Sequence, residues 1–250
     1  VALHEIAHSF VGLGDEYGGD PGLYAGGEPP PLNVSLNSTG ADWAEWLGYV
    51  DPDLGTVGAY QGGFYFEQGV WRPTLDSKMR DLGRAFDPIA REEFIHKFYQ
   101  FVDPLDGFDN NVGTKSGIAA LAVDVIDPAV IKVDWTVNGT LFANAGENFN
   151  FAAHGIGGGT YTVTARAYDD TPWVRGDRSD LEQSVSWSVV LTGPATDVSL
   201  SNATAPEGSA PGVIVGALTI VGGSGAVLTD DAGGRFALSG ANLTVVGGLD

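Results

Sequence analysis

Two histidines and a glutamate near the start of the chain have the types and spacing of a metal site. His4, Glu5 and His8 form a His-Glu-x-x-His sequence. Positions i and i+4 of an α-helix lie on one face, one turn apart, so two neutral imidazoles can bind one zinc ion there. Glu5 would then lie beside that pair and act on a zinc-bound water instead of on the metal. The surrounding apolar residues predict that this helix is buried: Val1, Leu3, Ile6, Ala7 and Phe10.

The third ligand is expected just after the helix. A catalytic zinc takes three protein ligands and keeps one position open for water. Gly12 and Gly14 end the predicted helix and give the backbone the freedom to fold back toward the metal. The two carboxylates that follow, Asp15 and Glu16, are the candidates. Glu16 has a further possible role, in which it orients an imidazole N–H.

The stretch from His4 to Tyr17 is similar to a known family. The sequence His-Glu-x-x-His-Ser-Phe-x-Gly-Leu-Gly-Asp-Glu-Tyr resembles the zinc peptidases named for the bacterial IgA peptidase. The resemblance continues through residues 69–74 and 76–80 and covers residues 1–102. It implies an α+β fold, the lower subdomain of a metzincin-like zinc peptidase, and a secreted zinc metalloendopeptidase that hydrolyses protein substrates, with immunoglobulin suggested by the family name.

The same resemblance assigns roles to individual residues. It makes His4, His8 and Asp15 the zinc ligands and Glu5 the general base, and this is why Asp15 is favoured over Glu16. It also makes Met79, the one methionine of the chain, the residue of a tight turn beneath the zinc.

Three aromatic or basic residues are expected near this site. Either Tyr17 or Tyr65 would hydrogen-bond the tetrahedral intermediate, as a tyrosine does in some metzincins, and the sequence does not choose between them. Arg72 would pair with a carboxylate near the site. The aromatic segment 56–72 itself predicts a hairpin around Gly62 and Gly63.

Composition limits the classes of partner. The chain has 32 Asp and Glu against 12 Lys and Arg, a formal net charge of −20, which argues against binding to nucleic acid or to an anionic membrane. There is no cysteine and no apolar run long enough to span a membrane. We expect a secreted protein. Because the motif begins at residue 4, we also expect the chain to be the C-terminal part of a longer precursor.

The rest of the chain predicts β-structure. An acidic linker over residues 103–117 leads to residues 118–193, where alternating segments and an Asn138-Gly139 turn predict a β-sandwich of the immunoglobulin or polycystic-kidney-repeat type. Residues 194–250 resemble a truncated cadherin-like repeat. That resemblance implies calcium binding, with Glu207 as its acidic ligand. The second functional hypothesis follows: an extracellular adhesion or calcium-binding protein whose β-modules dock to a cell surface or matrix, with a remnant peptidase part.

Overall fold

A computed structural model describes residues 1–193, 197–223 and 226–249. The chain forms two compact units. The first contains residues 1–107, 124–133 and 166–184, and the second contains residues 108–123, 134–165 and 185–250. The predicted boundary at residue 194 falls outside the described residues. The other predicted domain limits stay predictions.

Helical structure is short wherever the chain is described. The metal-motif helix α1 (Ala2–Ile6) continues directly into a π-helical turn (Ala7–Val11), and Gly12 ends it in a left-handed conformation with φ 89°. Helix α2 (Pro88–Tyr99) begins at Asp87, whose side chain accepts a hydrogen bond from the Ala90 N–H, and has proline at its first position. These two predicted helix ends are confirmed. Two 3-10 turns cover Ala41–Trp46 and Ser179–Leu181.

Strands make up most of the regular structure in the described residues: β1 (Asp20–Leu23), β2 (Val50–Asp51), β3 (Gly55–Thr56), β4 (Tyr60–Gly63), β5 (Phe66–Arg72), β6 (Leu105–Phe108), β7 (Thr114–Ser116), β8 (Ala120–Val125), β9 (Ile131–Val137), β10 (Thr140–Phe142), β11 (Asn148–Asn150), β12 (Gly159–Asp169), β13 (Glu182–Leu191), β14 (Asp197–Leu200), β15 (Ile214–Val221), β16 (Phe236–Ser239) and β17 (Asn242–Val245).

These strands form five sheets. Their orders are β1-β5-β4, β2-β3, β11-β8-β6, β10-β9-β12-β13-β7 and β14-β15-β17-β16. Strand β9 alternates buried and half-buried residues, and the Asn138-Gly139 turn, with φ 46° and 86°, joins it to β10. The three alternating segments and this turn are confirmed as predicted. The aromatic hairpin forms from β4 and β5, but its tip lies at Phe64 and Tyr65, two residues beyond the predicted glycines.

Two small cores hold the first unit together. Ala7, Leu13, Met79 and Ala90 pack together, so the motif helix, the loop after it and helix α2 share one apolar cluster. A second cluster contains Trp43, Trp46, Val57 and Ile89. In the second unit, Trp135 stacks on Phe149 and on Trp187 at ring-centroid distances of 5.2 and 5.6 Å.

The predicted fold class is wrong. An α+β lower subdomain of a metzincin was expected for residues 1–102, but the chain is mostly β and shows no such subdomain among the described residues. The motif helix is also less buried than predicted, since Val1, Leu3 and Ile6 are 76%, 60% and 46% exposed. The physical reason is that only one face of this short helix, through Ala7, packs on the Met79 cluster.

Candidate metal centre

The helix places the two motif histidines against each other. His4 lies in α1 and His8 in the π-helical turn, and their Nε2 atoms are 3.0 Å apart. His4 is buried, with 7% of its surface exposed, and His8 is half-buried. Single π-helical turns within α-helices are rare and are found often at functional sites. Here the turn carries one of the two histidines.

Asp15 completes the group. After the left-handed Gly12, the chain folds back and places Asp15 Oδ1 3.0 Å from His4 Nε2 and 3.2 Å from His8 Nε2. The residue is 5% exposed, and its Oδ1 accepts no hydrogen bond from any described residue. A buried carboxylate oxygen without a donor is unfavourable unless a cation satisfies it. His4, His8 and Asp15 therefore form a group that can hold a metal ion.

The hydrogen bonds of the two imidazoles fix which nitrogen faces the group. His4 Nδ1 lies 3.0 Å from the Lys78 carbonyl oxygen, and His8 Nδ1 lies 2.6 Å from the Leu13 carbonyl oxygen. Because a carbonyl oxygen only accepts, each Nδ1 must donate its N–H, and each neutral imidazole then presents an Nε2 lone pair. Two nitrogen lone pairs and one carboxylate oxygen consequently converge.

Glu16, the other candidate ligand, points away from the metal group. Its side chain is fully buried and accepts hydrogen bonds from Asn33 Nδ2 at 2.8 Å and Ser77 Oγ at 2.6 Å. Burial raises the pKa of Glu16 well above its usual value, and the neighbouring Asp87 carboxyl raises it further. In the described part of the chain, neither imidazole hydrogen-bonds to the Glu16 carboxylate. It ties the Asp15 loop to two other segments instead.

The Met79 segment lies against the inner side of the site. Met79 is fully buried in the cluster with Ala7 and Leu13, and its carbonyl oxygen accepts the Glu16 N–H at 2.9 Å. The preceding residue, Lys78, supplies the carbonyl that orients His4. This turn thus supports both the motif helix and the loop that carries Asp15.

Two tyrosines and Glu5 lie on the solvent-exposed side of the metal group. The Tyr65 hydroxyl donates to Asp15 Oδ2, and this hydrogen bond raises the pKa of the Tyr65 phenol. The Tyr17 ring meets the Tyr65 ring edge-on at 5.2 Å. Partial burial raises the pKa of Tyr17, and the negative charges of Asp15 and Glu5 contribute to the rise. Glu5 is exposed, so its carboxylate faces solvent beside the metal group.

Arg72 and Glu207 lie elsewhere. The buried Arg72 guanidinium donates to the carbonyls of Gln61 and Gly62, each at 2.7 Å, and it braces the β4–β5 hairpin instead of pairing with a site carboxylate. Burial lowers its pKa. Glu207 is exposed and belongs to no group of three or more potential metal ligands in the described part of the chain. Calcium binding at Glu207 stays a prediction.

Sequence reasoning missed part of the support around the site. It did not identify Asn33 and Ser77 as the groups that hold Glu16, or Asp87 as the acid that raises the pKa of Glu16. It considered Tyr65 only as a contact of a reaction intermediate, whereas the structure shows a contact with Asp15. The two glycines before Phe64 and Tyr65 signalled a tight turn, but its distance in sequence from Asp15 concealed the contact.

Comparisons with known proteins contradict the predicted family. No family model matches the chain, and no curated protein matches it. A solved structure of the Bacteroides ovatus mixed-linkage glucan utilization locus protein SGBP-B, in complex with a mixed-linkage heptasaccharide, is 16% identical, with a TM-score of 0.24. The match covers 60% of this chain and 38% of that chain.

No family model or curated protein places the chain among peptidases, and the predicted membership in the IgA-peptidase-like family and the predicted zinc endopeptidase class are wrong. Within the residues that the structure describes, no helix is long and apolar enough to cross a membrane.

Proposed function

We propose that the protein binds one zinc ion through His4 Nε2, His8 Nε2 and Asp15 Oδ1. The observation that carries this proposal is the convergence of three acceptor atoms within 3.0–3.2 Å of one another, with the buried Asp15 Oδ1 left without a donor in the described residues. Two imidazole lone pairs and a carboxylate oxygen at this distance repel one another. A cation among them converts that repulsion into three favourable bonds.

The donor set fits zinc by type and by size. Two imidazoles and one carboxylate suit a borderline transition metal, whereas calcium and magnesium take oxygen ligands. Bonds of ~2.0–2.1 Å in a tetrahedral arrangement would separate neighbouring ligand atoms by about 3.3–3.4 Å. The observed separations are a few tenths of an ångström shorter, so small side-chain rotations would admit the ion.

Three protein ligands leave one tetrahedral position open. Zinc in such a site lowers the pKa of a bound water to about 7. Glu5 is next to His4 in sequence, is exposed, and lies close enough to affect the pKa of Tyr17. With zinc bound, Glu5 would be the neighbouring carboxylate that accepts a proton from a ligand at the open position.

Metal content tests the proposal directly. Purified protein would be loaded with zinc, passed over a desalting column and analysed by mass spectrometry. We expect about one zinc per chain, and its loss in His8→Ala and in Asp15→Asn. The matched control is His96→Ala, because His96 lies on α2 and pairs with Asp180. Absence of zinc from the wild type, or its retention in both ligand variants, would refute the site.

We propose secondly that the protein is secreted and that its β-rich C-terminal part attaches to a cell surface or matrix. Apolar side chains there are exposed on strands and a loop: Val198, Ile214 and Val227 are 53%, 57% and 86% exposed. Val198 and Val227 line one largely apolar hollow, and contiguous exposed apolar surface marks interaction sites. Replacing all three by threonine should move the protein from the envelope fraction of producing cells to the medium. Val112→Thr, at a position 79% exposed, is the control. An unchanged distribution would contradict attachment.

A further inference from the structure

The tip of the β4–β5 hairpin has an unusual backbone. Phe64 and Tyr65 have φ of 48° and 72°, in the left-handed region, directly after Gly62 and Gly63 with φ of 94° and 148°. Glycine adopts these angles freely, but residues with a Cβ and a bulky ring seldom do. Strained conformations of this kind persist where surrounding contacts impose them, and they are concentrated at functional sites.

The contacts that impose this conformation join the hairpin tip to the loop of Asp15. The Phe64 N–H donates to the Asp15 carbonyl at 2.8 Å, and the Tyr65 N–H donates to the Tyr17 carbonyl at 3.0 Å. The Tyr65 carbonyl in turn accepts from the Asp20 N–H at 2.8 Å. The two segments are thus held in register by backbone hydrogen bonds, and this register sets the Tyr65 side chain beside the Asp15 carboxylate.

Burial does not explain the position of the Tyr65 side chain. It is 49% exposed, although its ring meets the Tyr17 ring edge-on. Its hydroxyl donates a hydrogen bond to Asp15 Oδ2. The other carboxylate oxygen, Oδ1, faces the two imidazoles. The phenol therefore occupies one oxygen of the carboxylate and leaves the other free.

We propose that Tyr65 is a positioning residue that makes Asp15 a one-oxygen ligand of the bound metal. By holding Oδ2, the phenol fixes the carboxylate orientation and prevents both oxygens from binding the ion. This inference rests on the proposed zinc binding and deepens it. Hydrogen bonds from groups behind a metal ligand affect metal affinity strongly, since their removal typically weakens binding by about 10–100-fold.

The test compares two identical substitutions on one hairpin. Tyr65→Phe removes the hydroxyl that contacts Asp15, and Tyr60→Phe removes a hydroxyl that donates to the Thr56 carbonyl at 2.8 Å. Zinc affinity would be measured by competition with a chromophoric chelator. We expect the dissociation constant to rise about 10–100-fold in Tyr65→Phe and to stay unchanged in Tyr60→Phe.

Cobalt substitution supplies a readout that a purely structural role of Tyr65 would not change. Tetrahedral Co²⁺ absorbs visible light much more strongly than five-coordinate Co²⁺. We expect the cobalt-loaded wild type and Tyr60→Phe to give the strong tetrahedral spectrum, and Tyr65→Phe to give a weaker one because Oδ2 of Asp15 becomes free to bind.

The outcomes separate this inference from the proposed function. Wild-type affinity together with a wild-type cobalt spectrum in Tyr65→Phe would overturn the role of Tyr65 while leaving zinc binding intact. Equal weakening in both variants would also overturn it, because hairpin stability would then explain the effect. Failure of the wild type to bind either metal would overturn the zinc site itself, and this inference with it.

Discussion

Substitution of Asp87 tests how a buried pair of acids and a helix cap contribute to the stability of the first unit. Asp87 is fully buried at the start of α2, where its Oδ1 accepts the Ala90 N–H at 2.8 Å. Its Oδ2 has no donor among the described residues, and the buried Glu16 carboxyl lies close enough to affect its titration. Burial raises the pKa values of both Asp87 and Glu16. Two buried acids are thus favoured in their neutral forms.

The sign of the pH dependence follows from these raised pKa values. In the unfolded chain, Asp and Glu lose their protons near pH ~4, whereas the folded protein retains them to higher pH. The stabilisation from this pair is therefore complete below about pH 4 and is lost as pH rises through the raised folded values. Asp87→Asn is uncharged at every pH and caps a helix about as well as aspartate. The free energy of unfolding of Asp87→Asn should therefore fall less with rising pH than that of the wild type.

Comparison with Asp87→Ala gives the contribution of the helix cap to the free energy of unfolding. Alanine also removes the charge, but it leaves the Ala90 N–H without its acceptor. Replacement of a good N-cap residue by alanine typically costs about 1 kcal/mol. We expect Asp87→Ala to be about 1 kcal/mol less stable than Asp87→Asn at every pH. As pH rises from 5 to 8, both variants should lose less free energy of unfolding than the wild type loses.

Urea unfolding of the metal-free protein, followed by tryptophan fluorescence at pH 5 and pH 8, measures these quantities. Titration of groups other than Asp87 and Glu16 cancels in the comparison between variants. The reasoning fails if Asp87→Asn loses as much stability as the wild type between the two pH values. It also fails if the alanine and asparagine variants are equally stable, because the hydrogen bond to Ala90 would then contribute nothing.

Three other substitutions test separate parts of the first unit. Glu5→Gln should keep one zinc per chain, because Glu5 is not a ligand, and mass spectrometry of the loaded protein would check this; loss of zinc would contradict the ligand set. Met79→Ala should destabilise the unit by about 2–5 kcal/mol in urea unfolding, since Met79 is fully buried, whereas Leu82→Ala, at a position 46% exposed, should have little effect. Glu92→Ala should lower the free energy of unfolding by about 3 kcal/mol in the same assay, and a stability equal to that of the wild type would contradict this expectation. The reason is that the Glu92 carboxylate accepts from three groups: Trp46 Nε1, the Arg175 N–H and the Gly176 N–H.

Local sequence rules predicted the features of the site that depend on short separations. The i,i+4 spacing placed His4 and His8 together because one helical turn fixes their relation. Gly12 ended the helix as predicted, since it could adopt a left-handed conformation. The choice between Asp15 and Glu16 could not be made from the residues, because it depends on Asn33 and Ser77, which are distant in sequence and hold Glu16 in the interior.

Long-range packing explains what the sequence did not reveal. The apolar residues of the motif helix predicted a buried helix, but the cluster around Met79 covers one face. The resemblance in residues 4–17 predicted a peptidase fold for a far longer stretch, and the mostly β architecture does not agree with it. A short motif specifies the ligands that must meet. It does not determine the fold that brings them together.

The geometry of the candidate metal group is thus independent of the enzyme class that its motif suggested. Each His Nδ1 donates to a backbone carbonyl, from Lys78 and from Leu13, so both Nε2 lone pairs are directed at Asp15 Oδ1 by the fold itself. Three buried or half-buried acceptors held in this way disfavour the metal-free folded state. Because the unfolded chain lacks this arrangement, a cation bound there would stabilise the fold, and the proposed metal binding would be thermodynamically linked to folding of the first unit.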